Sequence, residues 1–487
     1  MKNAQRHRRG LEPIARSVIY HGRSMPILGT DLHVAQPFAG YLLAGDDRSN
    51  AYRRDIVMTQ VLIPRLEAAI AELRERPITG IDKGFGVPAP GATVNAAGLG
   101  ARKPSLFGPG FTMPVLVLRE PAVAHNVSAM AAYCAAAGVK LAPHGKTTMA
   151  PQLFARQLAA GAWAVTAATV GELQVYRAFG IPRVLLANEL TDPAGAAWLA
   201  GELAADPGFE CYVYADGLPG VRLLDEAVRQ ASPARPLPVL VELGYPGGRT
   251  GCRDLAAAEA VARAVAQAGS LRLAGVAGYE GLIGHDRNPQ TIGKIAAYCR
   301  ELRSLGERLA AAGLAPDELI LSAGGSAFFD VVVQELAYGW AGRPAPVVVL
   351  RSGVYIAFDH GLYAGMVPSP PPVLEPALEL WAYVLSRPEP GLALACAGRR
   401  DVAFDAGLPV PLGIRGQDGS LRPATGMRAV RLDDQHCYLQ LPEGTELEPG
   451  EAVCFGVSHP CTTFDKWRVI PVVDDDYRVV DAIHTFF

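Results

Sequence analysis

Between residues 139 and 353 the chain repeats one pattern. A short apolar run rich in β-branched residues is followed by a longer Ala/Leu-rich run with helical spacing. The apolar runs are VKLAPH (139–144), AWAVTAAT (162–169), RVLLANE (183–189), ECYVYAD (210–216), PVLVELG (238–244), LAGVAGYEG (273–281), LILSAGG (319–325) and PVVVLRSG (346–353). Helices are predicted between them over Ala150–Ala160, Val170–Phe179, Pro193–Ala204, Leu218–Gln230, Leu255–Ala268, Pro289–Ala312 and Ala327–Tyr338. Strands that alternate with helices form parallel sheets, and eight of them is the count of a (β/α)8 barrel. A doubly wound open sheet is the competing arrangement.

The flanks have a different texture. Residues 57–76 carry helical spacing, and the Gly/Pro-rich stretch that follows, through about residue 110, reads as loop or extended structure rather than a packed unit. A strand and a helix are expected in PVLVLREPAVAHNVSAMAAYCAAAG (114–138). After the proline-rich VPSPPPVLEP come short strands separated by turn signals, among them ELWAYVLSR, LALACAG, HCYLQLP, EAVCFGV and RVIPVVD, which read as an all-β domain. The expected organisation is an α/β chain: an N-terminal extension (1–110), a barrel (111–365) and a β domain (366–487).

Composition narrows the function classes. Half of the residues are hydrophobic, and the net charge of −3 provides no overall basic surface for nucleic acid. The eight cysteines include no C-x-x-C pair, so free thiols in a reducing cytoplasm are expected. No uncharged apolar stretch is long enough to span a membrane. The basic opening MKNAQRHRRG is not followed by the apolar run of a secretory signal.

In a barrel the C-terminal ends of the strands meet on one face, where the chemistry of such folds sits. The strand ends here supply His144 and Lys146, then Thr169, then Asn188 and Glu189. Later strands add Tyr245 and Arg249 of GYPGGRTG, Tyr279 and Glu280, Gly324, Gly325 and Ser326 of SAGGSAFF, and Arg351, Tyr355 and Asp359. A Gly-Gly-Ser before a helix is ordinarily a turn and an N-cap, yet its free N–H groups can also hold a phosphate. Lys146 is one of only seven lysines in the chain. A loop lysine is ordinarily just solvated. At a barrel mouth, with cationic neighbours that lower an amine's pKa, it is also placed to form a Schiff base. A lysine together with a phosphate site suggests pyridoxal phosphate. A second cluster, GVSHPCTTFDKW, contains His459 and Cys461; in isolation this is weak evidence for a metal.

The motifs PHGKT, GGRTG, GYEG, GGS and LRSGVYIAFD, in this order, resemble those of the fold-type III pyridoxal-phosphate enzymes, in the D-serine dehydratase and D-threonine aldolase branch. The resemblance spans residues 112–487 and leaves the N-terminal extension unexplained. It implies an alanine-racemase-type barrel followed by a β domain. It implies that Lys146 binds the cofactor covalently and moves the substrate's α-proton, with His144 beside it. Arg249 would face the pyridine nitrogen, Tyr279 would touch the cofactor, and Gly325 and Ser326 would hold its phosphate. An arginine cannot protonate that nitrogen, so the ring is a weaker electron sink and the leaving group needs other help. The resemblance places a divalent metal on His459 and Cys461, and a thiolate with an imidazole suits Zn2+. The reaction then expected is dehydration of a β-hydroxy D-amino acid, such as D-serine or D-threonine, to a 2-oxo acid and ammonia. Retro-aldol cleavage to glycine and an aldehyde is the near alternative, and a non-catalytic cofactor-binding protein is the alternative of another class. A homodimer, a small-molecule D-amino acid as partner, and neither nucleic acid nor membrane complete the expectation.

Overall fold

The structure is a computed structural model of the chain and describes residues 64–89, 92–232, 235–342, 345–366 and 372–487. Residues 1–63 of the expected extension, including the start of the helical run at 57–76, lie outside the described residues, as do 367–371 of the proline-rich transition. The described chain opens with α1 (64–75), α2 (Ala96–Arg102), β1 (Val115–Arg119) and α3 (Glu120–Ala137).

The repeat of strand and helix forms β2 (Lys140–Leu141), α4 (Pro151–Ala159), β3 (Val165–Ala167), α5 (Val170–Ala178), β4 (Arg183–Glu189), α6 (Pro193–Ala205), β5 (Glu210–Ala215) and α7 (Leu218–Gln230). It continues with β6 (Leu237–Leu243), α8 (Leu255–Gln267), β7 (Leu271–Gly278), α9 (Pro289–Ala311), β8 (Ile320–Ala323), α10 (Phe329–Leu336) and β9 (Val347–Leu350). Local chemistry fixes the helix starts. The side chains of Thr169, Asp192, Asp254 and Asn288 accept N–H groups of the first turns of α5, α6, α8 and α9. Proline occupies the first turn of α4, α6, α7 and α9, where its missing N–H costs nothing.

All strands of this sheet run parallel, in the order β2-β9-β8-β7-β6-β5-β4-β3. The two ends of that order also meet. Trp163 N donates to Leu141 O at 2.7 Å, and Thr166 N to Pro143 O at 2.8 Å. The ring is therefore closed, and the open-sheet alternative is set aside. Alternate strand residues face opposite ways. Val184, Leu186, Cys211, Val213, Val239 and Val241 pack into the core shared with the helices, whereas Leu185, Tyr212, Tyr214, Leu240, Ile320 and Val349 form a separate cluster inside the ring.

The C-terminal domain comprises β10 (Leu378–Glu389), β11 (Leu392–Ala395), β12 (Val410–Arg415), β13 (Leu421–Pro423), β14 (Arg428–Leu432), β15 (Cys437–Gln440), β16 (Ala452–Gly456), α11 (Cys461–Phe464), β17 (Val469–Val473) and β18 (Val479–His484). Its main sheet runs β13-β12-β16-β10-β1-β17-β18. The expected boundary at residue 111 is thus displaced. Strand β1 pairs with β10 and β17 and belongs to this sheet, not to the barrel. Both of its faces are buried: Leu116 and Leu118 join the main core, Val115 and Val117 a smaller one with Trp381.

The Gly/Pro-rich segment before β1 also departs from expectation, because it is packed. Ile78, Phe85, Leu99 and Leu106 are buried in the smaller core, beside Val479 and Ala482. Backbone bonds from Leu106 N to Tyr477 O (2.9 Å) and from Val479 N to Pro104 O (2.8 Å) join it to the β domain. Helix α2 is short and carries two glycines, which hid it from periodicity; the Asn95 side chain caps it on Gly98 N at 2.7 Å. No helix of the described residues is long and apolar enough to cross a membrane.

Candidate active site

Strand β2 stops after two residues because Pro143 ends its ladder and Gly145–Thr147 coil into a 3-10 turn. Gly145 is required there, since a Cβ would run into the ring of buried Tyr176. Met149, just beyond, holds a left-handed φ of 44°, a conformation that costs energy without a glycine. The turn projects Lys146 to the exposed side while Gly145 and Thr147 are buried. His144 lies behind it. Its Nδ1 is buried with no hydrogen-bond partner among the described residues. Burial, and then the charges of Lys146, Arg351 and Arg249, pushes its pKa well below the ordinary histidine value, so the ring is neutral.

Arg249 sits in the loop after β6, with its guanidinium 5.2 Å from the centre of the Tyr279 ring. The two residues, with Glu242, Tyr245, Thr250 and Tyr298, line a cavity at the barrel mouth. The Gly-Gly-Ser loop behaves otherwise than expected. Buried Glu280 already holds its amides: Gly325 N donates to Oε1 at 2.6 Å and Gly324 N to Oε2 at 3.1 Å. The Gly325 amide is therefore engaged by an internal carboxylate rather than free for a phosphate. Ser326 Oγ accepts Val354 N at 3.2 Å. Nor is Ser326 an N-cap, because α10 begins only at Phe329 and has no side-chain cap.

Two of the residues expected at the strand ends, Arg351 and Tyr355, turn out to be internal supports. Arg351 is buried, donating to Ser322 Oγ at 2.7 Å and to Gly278 O at 2.5 Å. Tyr355 is buried and its hydroxyl accepts Gln157 Nε2 at 3.0 Å.

His459 and Cys461 follow β16, and Cys461 opens α11. His459 Nδ1 lies 2.7 Å from Asp405 Oδ2, and the same ring hydrogen-bonds the Cys461 sulfur. The Cys461 bond and then Asp405, against the opposing effect of burial, lift the imidazole to about 9. Thr462 Oγ1 donates to the other Asp405 oxygen at 2.7 Å, so the carboxylate is fixed from both sides. A histidine oriented by a carboxylate beside a thiol is a donor set that fits zinc. Among the described residues no third acidic, histidine or cysteine side chain completes a cluster with this pair. His484 is instead on β18, its backbone N bonded to Gln152 Oε1.

The two candidate centres meet. Cys461 Sγ is 3.5 Å from Thr147 Oγ1, one residue from Lys146. Burial, helped by neighbours that include Cys461, raises the hydroxyl pKa of both Tyr279 and Tyr363. Lys146, His144, Arg249, Tyr279, His459 and Cys461 thus converge, across the junction of barrel and β domain. The N-terminal segment supports the metal side. Lys83 Nζ donates to Arg400 O at 2.7 Å and pairs with buried Asp401 at 3.1 Å, in the loop that leads to Asp405. Asp405, Thr147 and Lys83 were not identifiable from the sequence, and Glu280, read there as a strand-end residue, was not recognisable as the partner of the Gly324 and Gly325 amides. Asp405 lies 54 residues from its histidine with no motif between them.

Comparison with known proteins agrees with this geometry. The family model described as "Alanine racemase, N-terminal domain" matches residues 119–340, and that described as "Putative serine dehydratase domain" matches residues 377–473. The chain is 27% identical over 364 residues to a D-threonine aldolase of Arthrobacter sp., covering 74% of this chain and 89% of the relative. A 3-hydroxy-D-aspartate aldolase of Paracoccus denitrificans is 26% identical, over 68% of this chain and 81% of its own. Among solved structures, the D-threonine aldolase of Filomicrobium marinum superposes with a TM-score of 0.65 at 29% identity, over 77% of this chain and 95% of its own. The chain thus carries both of these domains in order and is similar to D-threonine aldolase and 3-hydroxy-D-aspartate aldolase, in keeping with the resemblance of its motifs to the fold-type III pyridoxal-phosphate enzymes.

Proposed function

We propose that the protein is a pyridoxal-phosphate- and zinc-dependent lyase that dehydrates a β-hydroxy D-amino acid to a 2-oxo acid and ammonia. The observation that carries this reading is the 3.5 Å contact between Cys461 Sγ and Thr147 Oγ1, which joins the lysine turn to the His459–Cys461 pair. One site can then address the α-amino group and the β-hydroxyl of a single small substrate.

The residues fit both groups. Lys146 presents an exposed amine on a rigid turn, and His144 Nδ1 is a buried atom with an unmet hydrogen bond. Arg249 and Tyr279 line the adjoining cavity. When bound, the cofactor supplies an electron sink for the α-carbon, and zinc on His459 and Cys461 supplies Lewis acidity at the β-oxygen. The chain does the rest. Lys146 Nζ removes the α-proton. Neutral His144 stays beside that amine without adding a competing positive charge. Asp405 holds the His459 ring by its Nδ1, which would leave the other nitrogen to ligate zinc when it is bound. Cys461 in place of a carboxylate favours zinc and, by the family resemblance, dehydration.

A second reading is retro-aldol cleavage to glycine and an aldehyde. The matched curated relatives favour it, since they are named as aldolases. Both reactions need Lys146. A Lys146→Ala protein is expected to lose the visible absorbance of lysine-bound cofactor and all turnover. Retention of both would overturn the assignment.

A further inference from the structure

Beside the cavity lies a group of side chains that the proposed reaction does not use. Strands β4, β5 and β6 are neighbours in the barrel. Their C-terminal ends present Glu189, Asp216 and Glu242, with one carboxylate oxygen of each within 4.8 Å of the others. Glu242 is 4% exposed. Its Oε2 has no hydrogen-bond partner among the described residues, and neither has Glu189 Oε1. The hydroxyl of Tyr214, 3% exposed, is likewise without a partner and lies within electrostatic reach of both glutamates. Asp216 Oδ2 accepts Gly251 N at 3.0 Å.

The two arginines near this group, Arg351 and Arg249, make their contacts elsewhere. Arg351 donates to Ser322 and Gly278, and Arg249 lies over Tyr279. Among the described residues no ion pair involves any of the three carboxylates. Three like charges this close, on one buried and two half-buried side chains, cannot all stay ionised without a positive guest. Strong acceptors from three rigid strands, all oxygen, with no sulfur or imidazole, are the ligands of a hard cation.

We propose that Glu189, Asp216 and Glu242 form a second cation site, for a hard divalent ion of the calcium class, distinct from the soft His459–Cys461 pair. Water would complete the coordination, and the Tyr214 hydroxyl would hydrogen-bond a ligand oxygen. Through Asp216 and Gly251 such an ion would brace the loop that carries Arg249. The proposal does not depend on which reaction the enzyme catalyses.

The test is calorimetric titration of the cofactor-loaded enzyme with Ca2+, in parallel with its thermal unfolding. The wild type is expected to bind one equivalent and to gain melting temperature as Ca2+ rises. Glu242→Gln should weaken binding at least tenfold. Without Ca2+ the same variant should melt higher than the wild type, because a repelling charge is gone; this opposite sign separates a lost site from a damaged fold. Cys461→Ser should leave Ca2+ binding unchanged. Absence of Ca2+ binding in the wild type, or equal binding by Glu242→Gln, would overturn the proposal and leave a shared proton as what holds the carboxylates together. Loss of binding in Cys461→Ser would also overturn it, by placing the ion at the other centre.

Discussion

Replacing Asp405 by asparagine isolates the support of the metal pair from the pair itself. In the wild type, Asp405 Oδ2 meets His459 Nδ1 at 2.7 Å and Oδ1 accepts Thr462 Oγ1 at 2.7 Å. Asparagine keeps the shape but has one acceptor oxygen. If that oxygen faces His459, the imidazole keeps its hydrogen bond and loses only the charge opposite it; if the amide is reversed, two donors face each other. The carboxylate partner of a ligating histidine is generally worth about 10–100-fold in metal affinity. Asp405 is 46% exposed in its side chain, so water screens part of its charge. The lower end is therefore expected, about tenfold or ~1.4 kcal/mol. Competition with a chromophoric zinc chelator measures it directly, with Cys461→Ala as the control that removes a ligand outright. Unchanged affinity in Asp405→Asn, alongside lost affinity in Cys461→Ala, would refute the orienting role. Unchanged affinity in both would refute the zinc site.

Two more outcomes are expected. Lys83→Met leaves buried Asp401 without its cation, and an abandoned buried charge costs about 1–3 kcal/mol here, since Lys83 is itself a third exposed; thermal unfolding should show that loss and the chelator assay a weaker zinc site, and an unchanged melting temperature would contradict the support. His484 is buried and held down at about 4 by burial and then by Arg76; between the usual histidine value near 6.5 and about 4 the unfolded chain binds a proton that the folded chain does not, so stability falls as pH drops through that window, by up to ~3 kcal/mol, and His484→Leu should flatten that part of a denaturant-derived stability profile.

The barrel was legible in the sequence because its signals are local and repeated. RVLLANE is strand β4, residue for residue, and the helix read at Leu218–Gln230 matches α7. The residues that β1 pairs with were not legible, because a strand's sheet is decided by partners more than 250 residues away, here Trp381 and Leu380. The burial of Ile78, Phe85, Leu99 and Leu106 escaped for the related reason that Gly/Pro-rich sequence reports local freedom, not what a segment packs against. In the site, residues at strand ends were found because the fold brings them to one face. Gly325 was misjudged as a free donor because nothing in GGS indicates that Glu280, 45 residues earlier, takes its amide. Of the acidic trio only Glu189 stood out as a strand-end residue; Asp216 and Glu242 ended or interrupted apolar runs already accounted for by burial.

The most direct test of the proposed reaction is product analysis with D-threonine, run with a chelator and again after zinc is restored. Ammonia and 2-oxobutanoate, abolished by the chelator and recovered with zinc, are the predicted result. Glycine and acetaldehyde would contradict it and make the enzyme an aldolase.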